Sequence, residues 1–501
     1  MLDQVGLTRD VLNRARRSRD ARFDGKFFIA VKTTRIYCRP ICPSRTCKDA
    51  NVIFYLTAAE AAAAGFRPCR RCRPEAAPGS PAWLGTSAVV QRALRLIQDG
   101  ALDESSIEEL AARLGVGTRH LRRLFTRHVG VSPIAVAQTR RLEFAKQLLD
   151  ETRLPITEVA LASGFNSVRR FNGAFKAVYR CPPREIRRTR GAGDSSVSAQ
   201  TVLQLRYRPP YDWAHLQEFL ARRAIAGVES TTPAFYARTV RTASATAMLE
   251  VRPLPAADGL ELRIQGCPSR DLLSLCSAVR RMFDLAADPA RIAAALRACP
   301  RLAALVARNP GLRIPGTWDA FESGVRAIIG QQVSVAGART ILRRLVTRAG
   351  ESRAFGRPDL THVFPTAAAL AEADLAGLGI TRQRAAALTR FARAVRDGAI
   401  SFTDSTDAVM ASLTALEGIG AWTAGYVALR GLGDPDGFPS GDLILRRHAA
   451  SARLPLSVEE LDAQAESWRP FRAYAALHLW QVQDESRFEV RRRPVFSAVR
   501  A

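Results

Sequence analysis

F-F-I-A-V-K-T-T-R-I-Y-C-R-P-I-C-P-S-R (residues 27–45), with A-A-G-F-R-P-C-R-R-C (residues 63–72) after it, carries two close cysteine pairs, Cys38 with Cys42 and Cys69 with Cys72. Two short pairs separated by a loop let four thiolates close a tetrahedron around Zn²⁺, an ion that accepts soft sulfur ligands and imposes no geometry of its own. Spacing alone does not choose among the four sulfurs. A structural knot would need no more than this, yet Arg35, Arg39, Arg45, Lys48, Arg67, Arg70, Arg71 and Arg73 crowd the same stretch, where they are expected to draw a polyanion toward the sulfurs. Cys47 stands outside both pairs, and no role is assigned to it.

Working outward, the chain of 501 residues is 47% hydrophobic, enough for three or four separate cores. It carries a net charge of +27, and residues 1–190 hold 35 Lys and Arg against 17 Asp and Glu, a surplus of 18 that leaves 9 for the remainder. A field of this sign points to nucleic acid, because phosphate neutralisation supplies most sequence-independent affinity. No apolar run approaches membrane-spanning length, the N-terminus lacks an apolar signal core, and nine cysteines form no disulfide framework. The expectation is a cytoplasmic, nucleoid-associated protein with no membrane partner.

Ala76-Ala77-Pro78-Gly79-Ser80-Pro81 reads as a linker. Beyond it, Ser106 caps a helix through E-E-L-A-A-R-L, Gly115 ends it, and G-T-R-H-L-R-R-L-F starts another with Leu121, Leu124 and Phe125 inward. That is a helix-turn-helix, with Arg119, Arg122 and Arg123 on the outer face of its second helix. The pattern repeats: Glu158-Val159-Ala160 echoes Glu109-Leu110-Ala111, Gly164 echoes Gly115, and Phe175 echoes Phe125, which places Arg169 and Arg170 among the expected DNA contacts. Residues 191–198, G-A-G-D-S-S-V-S, form a second linker. L-Q-L-R-Y and A-M-L-E-V-R-P-L then read as strands, with D-W-A-H-L-Q-E-F-L-A-R-R-A and R-D-L-L-S-L-C-S-A-V-R-R-M-F as helices, before an almost wholly helical remainder from Pro289. In that remainder Leu416-Glu417-Gly418-Ile419-Gly420-Ala421 joins two helices by a Gly-x-Gly turn whose amides, at Gly418 and Gly420, suit a DNA phosphate. A Gly/Pro/Asp-rich loop follows and ends at Asp442.

Three resemblances attach to these motifs. The four-cysteine stretch resembles the N-terminal domain of Ada-type alkylation-response proteins. This implies a zinc site of Cys38, Cys42, Cys69 and Cys72, with Cys38 taking a methyl group from a DNA phosphotriester. A thiolate turned into a thioether loses a unit of negative charge, so methylation is expected to tighten DNA binding. The tandem helix-turn-helix with A-S-G-F-N-S-V-R-R-F-N-G-A-F-K resembles the DNA-binding domain of AraC-type regulators; Cys181 stands where that family has Gly, a substitution expected to cost about 1 kcal/mol at a left-handed helix end. Ile186 stands where an aromatic is usual. Y-R-P-P-Y-D-W, G-L-R-I-P-G, F-E-S-G-V-R-A-I-I-G-Q-Q-V-S-V-A and W-R-P-F-R-A-Y-A-A-L-H-L-W together resemble AlkA-type 3-methyladenine DNA glycosylase II. That resemblance makes Asp442 the catalytic carboxylate, gives Trp422, Tyr426 and Trp480 to the base pocket, and puts Gln332 where the family carries an apolar wedge.

The expected fold is multidomain α+β: a zinc methyl-acceptor domain (1–78), an all-α tandem helix-turn-helix (82–190), an α+β domain (200–288) and an all-α helix-hairpin-helix glycosylase domain (289–490). No lysine follows Lys176, which excludes a Schiff-base lyase on a glycosylase-domain lysine, and no cysteine follows Cys299, which excludes a four-cysteine iron-sulfur cluster there. The P-C-H-R motif of a methylguanine methyltransferase is missing. The expected function is DNA alkylation repair and response: monofunctional release of alkylated purines by base flipping, and stoichiometric methyl transfer to Cys38 that activates transcription. Alkylated and promoter duplex DNA are the expected partners, with RNA polymerase as a further one. The competing reading is a regulator whose C-terminal half has lost catalysis and only clamps DNA.

Overall fold

The computed structural model describes residues 8–492 except 70, 73, 75–87, 99, 104, 189–199, 255–256 and 451–453. Both predicted linkers lie outside the described residues.

The alternation in F-F-I-A decides the first domain. Phe27 and Ile29 point to one side of a small sheet and pack with Leu12 and Ala15 of the helix Arg9–Ser18; Phe28 and Ala30 point to the other and pack with Ala58 and Ala61 of the helix Ala58–Ala63. The sheet runs Val52–Tyr55, Phe28–Val31, Ile36–Cys38, Arg67–Pro68, with the last pair parallel. Its register sets Ile29 opposite Cys38 and Tyr37 opposite Pro68, which brings Cys38, the first of one cysteine pair, beside Cys69, the first of the other.

The two helix-turn-helix units are Ile107–Arg113 with Thr118–His128 and Ile156–Ala162 with Val168–Tyr179, joined by the helix Pro133–Glu151. Ser106 and Ser167 accept from the amides three residues on, and Leu121, Phe125, Phe171 and Phe175 are fully buried. The left-handed residue after Tyr179 is Arg180, with φ 60°, and not Cys181, which is buried in the core. The expected cost at Cys181 is therefore corrected: its side chain points inward as Val131 does after Gly130, the equivalent left-handed position of the first unit.

The α+β part is a five-stranded antiparallel sheet in the order Gln200–Arg206, Gly259–Gln265, Thr246–Leu254, Phe235–Arg241, Glu229–Thr232. Helices Trp213–Arg223 and Leu272–Met282 cover it. Phe171, Phe175 and Tyr179 share one buried apolar body with Leu203, Leu205 and Leu249, so the second helix-turn-helix unit and the sheet have a common core. The helical remainder, interrupted by a two-residue strand pair, Glu351–Ser352 with His362–Val363, forms two cores. One holds Val325, Ile328, Leu345, Leu388 and Phe391, the other Leu296, Leu302, Leu461, Trp468 and Leu479. The helix Ala421–Arg430 contributes Val427 to the first and Leu429 to the second, so it lies where the two meet. No described helix is long and apolar enough to cross a membrane.

Candidate functional site

The sulfurs of Cys38, Cys42, Cys69 and Cys72 all lie within 4.8 Å of one another. A tetrahedral Zn²⁺ with bonds of about 2.3 Å needs sulfurs about 3.8 Å apart, so the set fits zinc. Proximity also splits their acidities: the bond to Cys38 pulls the Cys42 thiol far down and the Cys69 thiol down to about 6, while Cys38, through Cys42, and Cys72, through Cys38, are pushed far up. Zinc requires all four sulfurs as thiolates, so its binding would release the protons that Cys38 and Cys72 hold. Cys38 and Cys42 are half-exposed and Cys69 and Cys72 buried.

The expected ring of free cations needs one correction. Arg39 is buried; its Nε donates to Asp24 Oδ1 at 2.8 Å, its Nη1 to the Cys72 carbonyl at 3.2 Å, and Nη2 pairs with Asp24 Oδ2. It serves the fold of the site and not a bound polyanion. Arg35, Arg45, Lys48 and Arg71 are exposed, Arg67 is half-buried, and Arg70 and Arg73 lie outside the described residues. Cys47 packs against the small core of Leu12 and Val52. On the two helix-turn-helix units, Arg119, Arg122, Arg123, Arg169 and Arg170 are all exposed on the second helices.

In the helical half the hairpin turn has Gly418 at φ 91°, where a side chain's Cβ would meet that of Ala387 at 2.8 Å, and Gly420 opens the helix Ala421–Arg430 with open space where a Cβ would lie. The loop after Gly431 folds back onto that helix. Gly425 permits this, since a Cβ there would sit 2.9 Å from the Phe438 carbonyl. The loop ends beside Trp422 with Asp442 as N-cap of the helix Leu443–Ala449. Asp442 Oδ1 accepts from the Ile444 and Leu445 amides at 2.9 and 3.0 Å and from Trp480 Nε1 at 3.3 Å; Oδ2 accepts from Trp422 Nε1 at 2.9 Å. Trp422 and Tyr426 are stacked with ring centroids 5.4 Å apart. The structure thus gathers three of the expected residues about the Asp442 carboxylate, Trp422 and Trp480 directly and Tyr426 through its stacking on Trp422.

Two groups at this site escaped the sequence reading. Arg430 Nη1 donates to the Tyr426 hydroxyl at 2.6 Å; burial alone would push that phenol up, but Arg430 and Arg223 outweigh it and hold it below its usual value. Its place four residues after Tyr426 on one helix was the available signal. Gln331 ties the loop before Gln332 to the hairpin, with Nε2 donating to the Gly418 carbonyl at 3.1 Å and Thr423 Oγ1 at 2.9 Å. Gln332 itself is exposed, in the left-handed region with φ 52°.

Four family models match the chain: the metal binding domain of Ada over residues 12–75, a helix-turn-helix domain over 110–189, the AlkA N-terminal domain over 202–319, and the HhH-GPD superfamily of base excision DNA repair proteins over 325–472. A probable bifunctional transcriptional activator/DNA repair enzyme AlkA of Mycobacterium tuberculosis is 41% identical over 478 residues, covering 93% of this chain and 95% of the relative. The DNA-3-methyladenine glycosylase 2 of Escherichia coli is 36% identical over 56% of this chain and 96% of its own length. The bifunctional transcriptional activator/DNA repair enzyme Ada of the same organism is 38% identical over 30% of this chain and 40% of its own. With a zinc-binding Ada domain, a helix-turn-helix and both glycosylase domains in one polypeptide, the chain belongs to the family of bifunctional transcriptional activator/DNA repair enzymes that join Ada-type and AlkA-type parts.

Proposed function

We propose that this protein releases alkylated purines of the 3-methyladenine type from duplex DNA and accepts methyl groups from DNA phosphotriesters on Cys38, becoming a transcription activator. The observation that supports the first activity most strongly is the carboxylate of Asp442, fixed by two backbone amides and two indole N–H groups beside the stacked Trp422 and Tyr426. A purine alkylated on a ring nitrogen is cationic; flipped out of the duplex, it stacks on these rings, which attract a cation through their faces. The bond from the sugar C1′ to the base nitrogen breaks with its electron pair going to the base, which leaves neutral. Asp442 stabilises the positive charge left on the sugar until water adds to C1′ and gives up a proton. Oδ2, with a single indole donor, keeps the lone pairs that face this charge. No lysine follows Lys176, so the abasic strand stays intact.

At the other end, bound zinc keeps the sulfurs deprotonated. The Cys38 sulfur attacks the methyl carbon of the phosphotriester; the S–C bond forms, the C–O bond breaks, and the oxygen leaves with the electron pair as a phosphodiester anion. The methylated zinc domain and the exposed arginines Arg119, Arg122, Arg123, Arg169 and Arg170 then hold promoter DNA, with RNA polymerase as the partner of activation. We divide the labour along the chain as 1–78 for methyl acceptance, 82–190 for promoter binding, and 200–288 with 289–490 for base release.

The test is release of free alkylated purine from methylated duplex DNA by the parent and by Asp442→Asn. The parent is expected to release base; the variant is expected to bind DNA and release none. Equal release by both would remove Asp442 from the chemistry, and no release by either would leave the C-terminal half a DNA clamp. For the acceptor, Cys38→Ala is expected to gain no methyl group by mass spectrometry, whereas uptake by that variant would transfer the role to another cysteine.

A further inference from the structure

The zinc domain touches the two parts of the protein beyond it with contacts of opposite character. Toward the helix-turn-helix the contact is close and mostly apolar: Ala59 lies inside the core of Val90, Leu110 and Phe125, and Glu60 packs so closely under Gly130 that a Cβ there would meet it at 3.1 Å. Toward the glycosylase part the contact is ionic and buried. Lys26 Nζ lies 2.7 Å from Asp288 Oδ2, with the side chains 7% and 1% exposed. Arg208, wholly buried, donates Nε to the Asp24 carbonyl at 2.8 Å and Nη1 to the Ala286 carbonyl at 2.9 Å.

These groups connect to the sulfur cluster through one residue. The Asp24 carboxylate pairs with Arg39, and the Arg39 backbone N–H donates to Cys72 Sγ at 3.3 Å. Buried ion pairs are poor glue compared with an apolar contact of equal size, since desolvation offsets most of their attraction. Their distinctive property is sensitivity to nearby charge, which an apolar contact lacks.

We propose that the unmethylated zinc domain is docked on the glycosylase part through Asp24, Lys26, Arg208 and Asp288, and that methyl acceptance at Cys38 loosens this ionic contact while the apolar contact to the helix-turn-helix persists. Converting the Cys38 thiolate to a thioether removes one negative charge from the cluster whose Cys72 sulfur accepts the Arg39 backbone N–H and whose Cys72 carbonyl accepts the Arg39 guanidinium. Arg39 and Asp24 then shift together, and Arg208 loses the carbonyl it binds. The sensor parts from the repair unit as it becomes competent for promoter DNA. This inference rests on Cys38 as the acceptor.

The test is hydrogen exchange on the full-length, zinc-loaded protein, following peptides over residues 24–39 and 203–208 before and after incubation with methylated DNA, with the gained methyl group verified by mass. Exchange in both peptides is expected to accelerate at least about threefold on methylation. Asp288→Asn, which keeps the oxygen that caps the helix Pro289–Leu296, is expected to show the faster exchange without methylation and no further change after it. A parent that gains the methyl group with unchanged exchange, or an Asp288→Asn variant indistinguishable from the unmethylated parent, overturns the proposal. Absence of any methyl gain overturns the acceptor reading itself, and the coupling with it.

Discussion

Asp442 and Asp284 show what surroundings do to one side-chain type. Asp442 collects four donors at a half-exposed helix start. Asp284 is half-buried, and desolvation pushes its carboxyl up to about 6 against the pull of Arg313. A carboxyl raised above its unfolded value of about 3.9 favours the fold only while protonated, so its contribution is complete below pH 3.9 and is lost as pH rises through 6; the difference corresponds to at most about 3 kcal/mol. Both of its donors, the Ile314 amide and the Tyr474 hydroxyl, use Oδ2, and its φ of 50° suits asparagine. Asp284→Asn is therefore expected to raise the melting temperature at pH 7.5 and to leave it unchanged near pH 3.5, as measured by thermal unfolding at the two pH values. At this scale the sequence was uneven. The four cysteines stood out by spacing, and Cys38, Trp422 and Asp442 were singled out by resemblance, whereas Arg39 looked like one free cation among eight because nothing in its neighbours announces Asp24, fifteen residues earlier, as its partner.

The loop between Ala320–Gly330 and Val335–Ala349 shows how elements aim a side chain. Gln331 is clamped to the hairpin by two bonds and Arg384 holds its carbonyl at 2.6 Å, which leaves Gln332 as the exposed tip next to Asp442's hairpin. A glutamine entering a base stack gives up hydration that an apolar side chain never had, a cost of about 1–2 kcal/mol. Gln332→Leu carries the same left-handed backbone cost, so it is expected to raise kcat/KM for duplex DNA about five- to thirtyfold and to leave single-stranded DNA unaffected, by steady-state base release on the two substrates. An equal effect on both would place Gln332 outside flipping. The helix-turn-helix pairs and the Gly-x-Gly hairpin were legible because their caps and turns are local. The strands Glu229–Thr232 and Phe235–Arg241 were not picked out, since E-S-T-T lacks an apolar pattern and forms only by pairing with its neighbour.

Across the whole molecule, the parts are joined by contacts between distant residues. Arg238 on the sheet pairs with Glu322 at 2.6 Å, Arg326 bridges Glu322 and Glu229, and the Tyr236 hydroxyl donates to Glu229 at 2.5 Å, fixing the sheet against the helix that leads to Gln332. Lys26 and Asp288 do the same for the zinc domain. The zinc ligand set, the two helix-turn-helix units and the hairpin-loop-aspartate order were legible along the chain, because spacing, capping and turn chemistry act over a few residues; the four-part α+β organisation came with the family resemblances. Folding alone shows that Arg39 is buried, that Arg180 and not Cys181 takes the left-handed turn, that Trp480 reaches the carboxylate of Asp442 across 38 positions, and that the zinc domain rests on the glycosylase part. Partners of that kind are chosen by packing, and a buried charge leaves no local mark of which distant group will neutralise it.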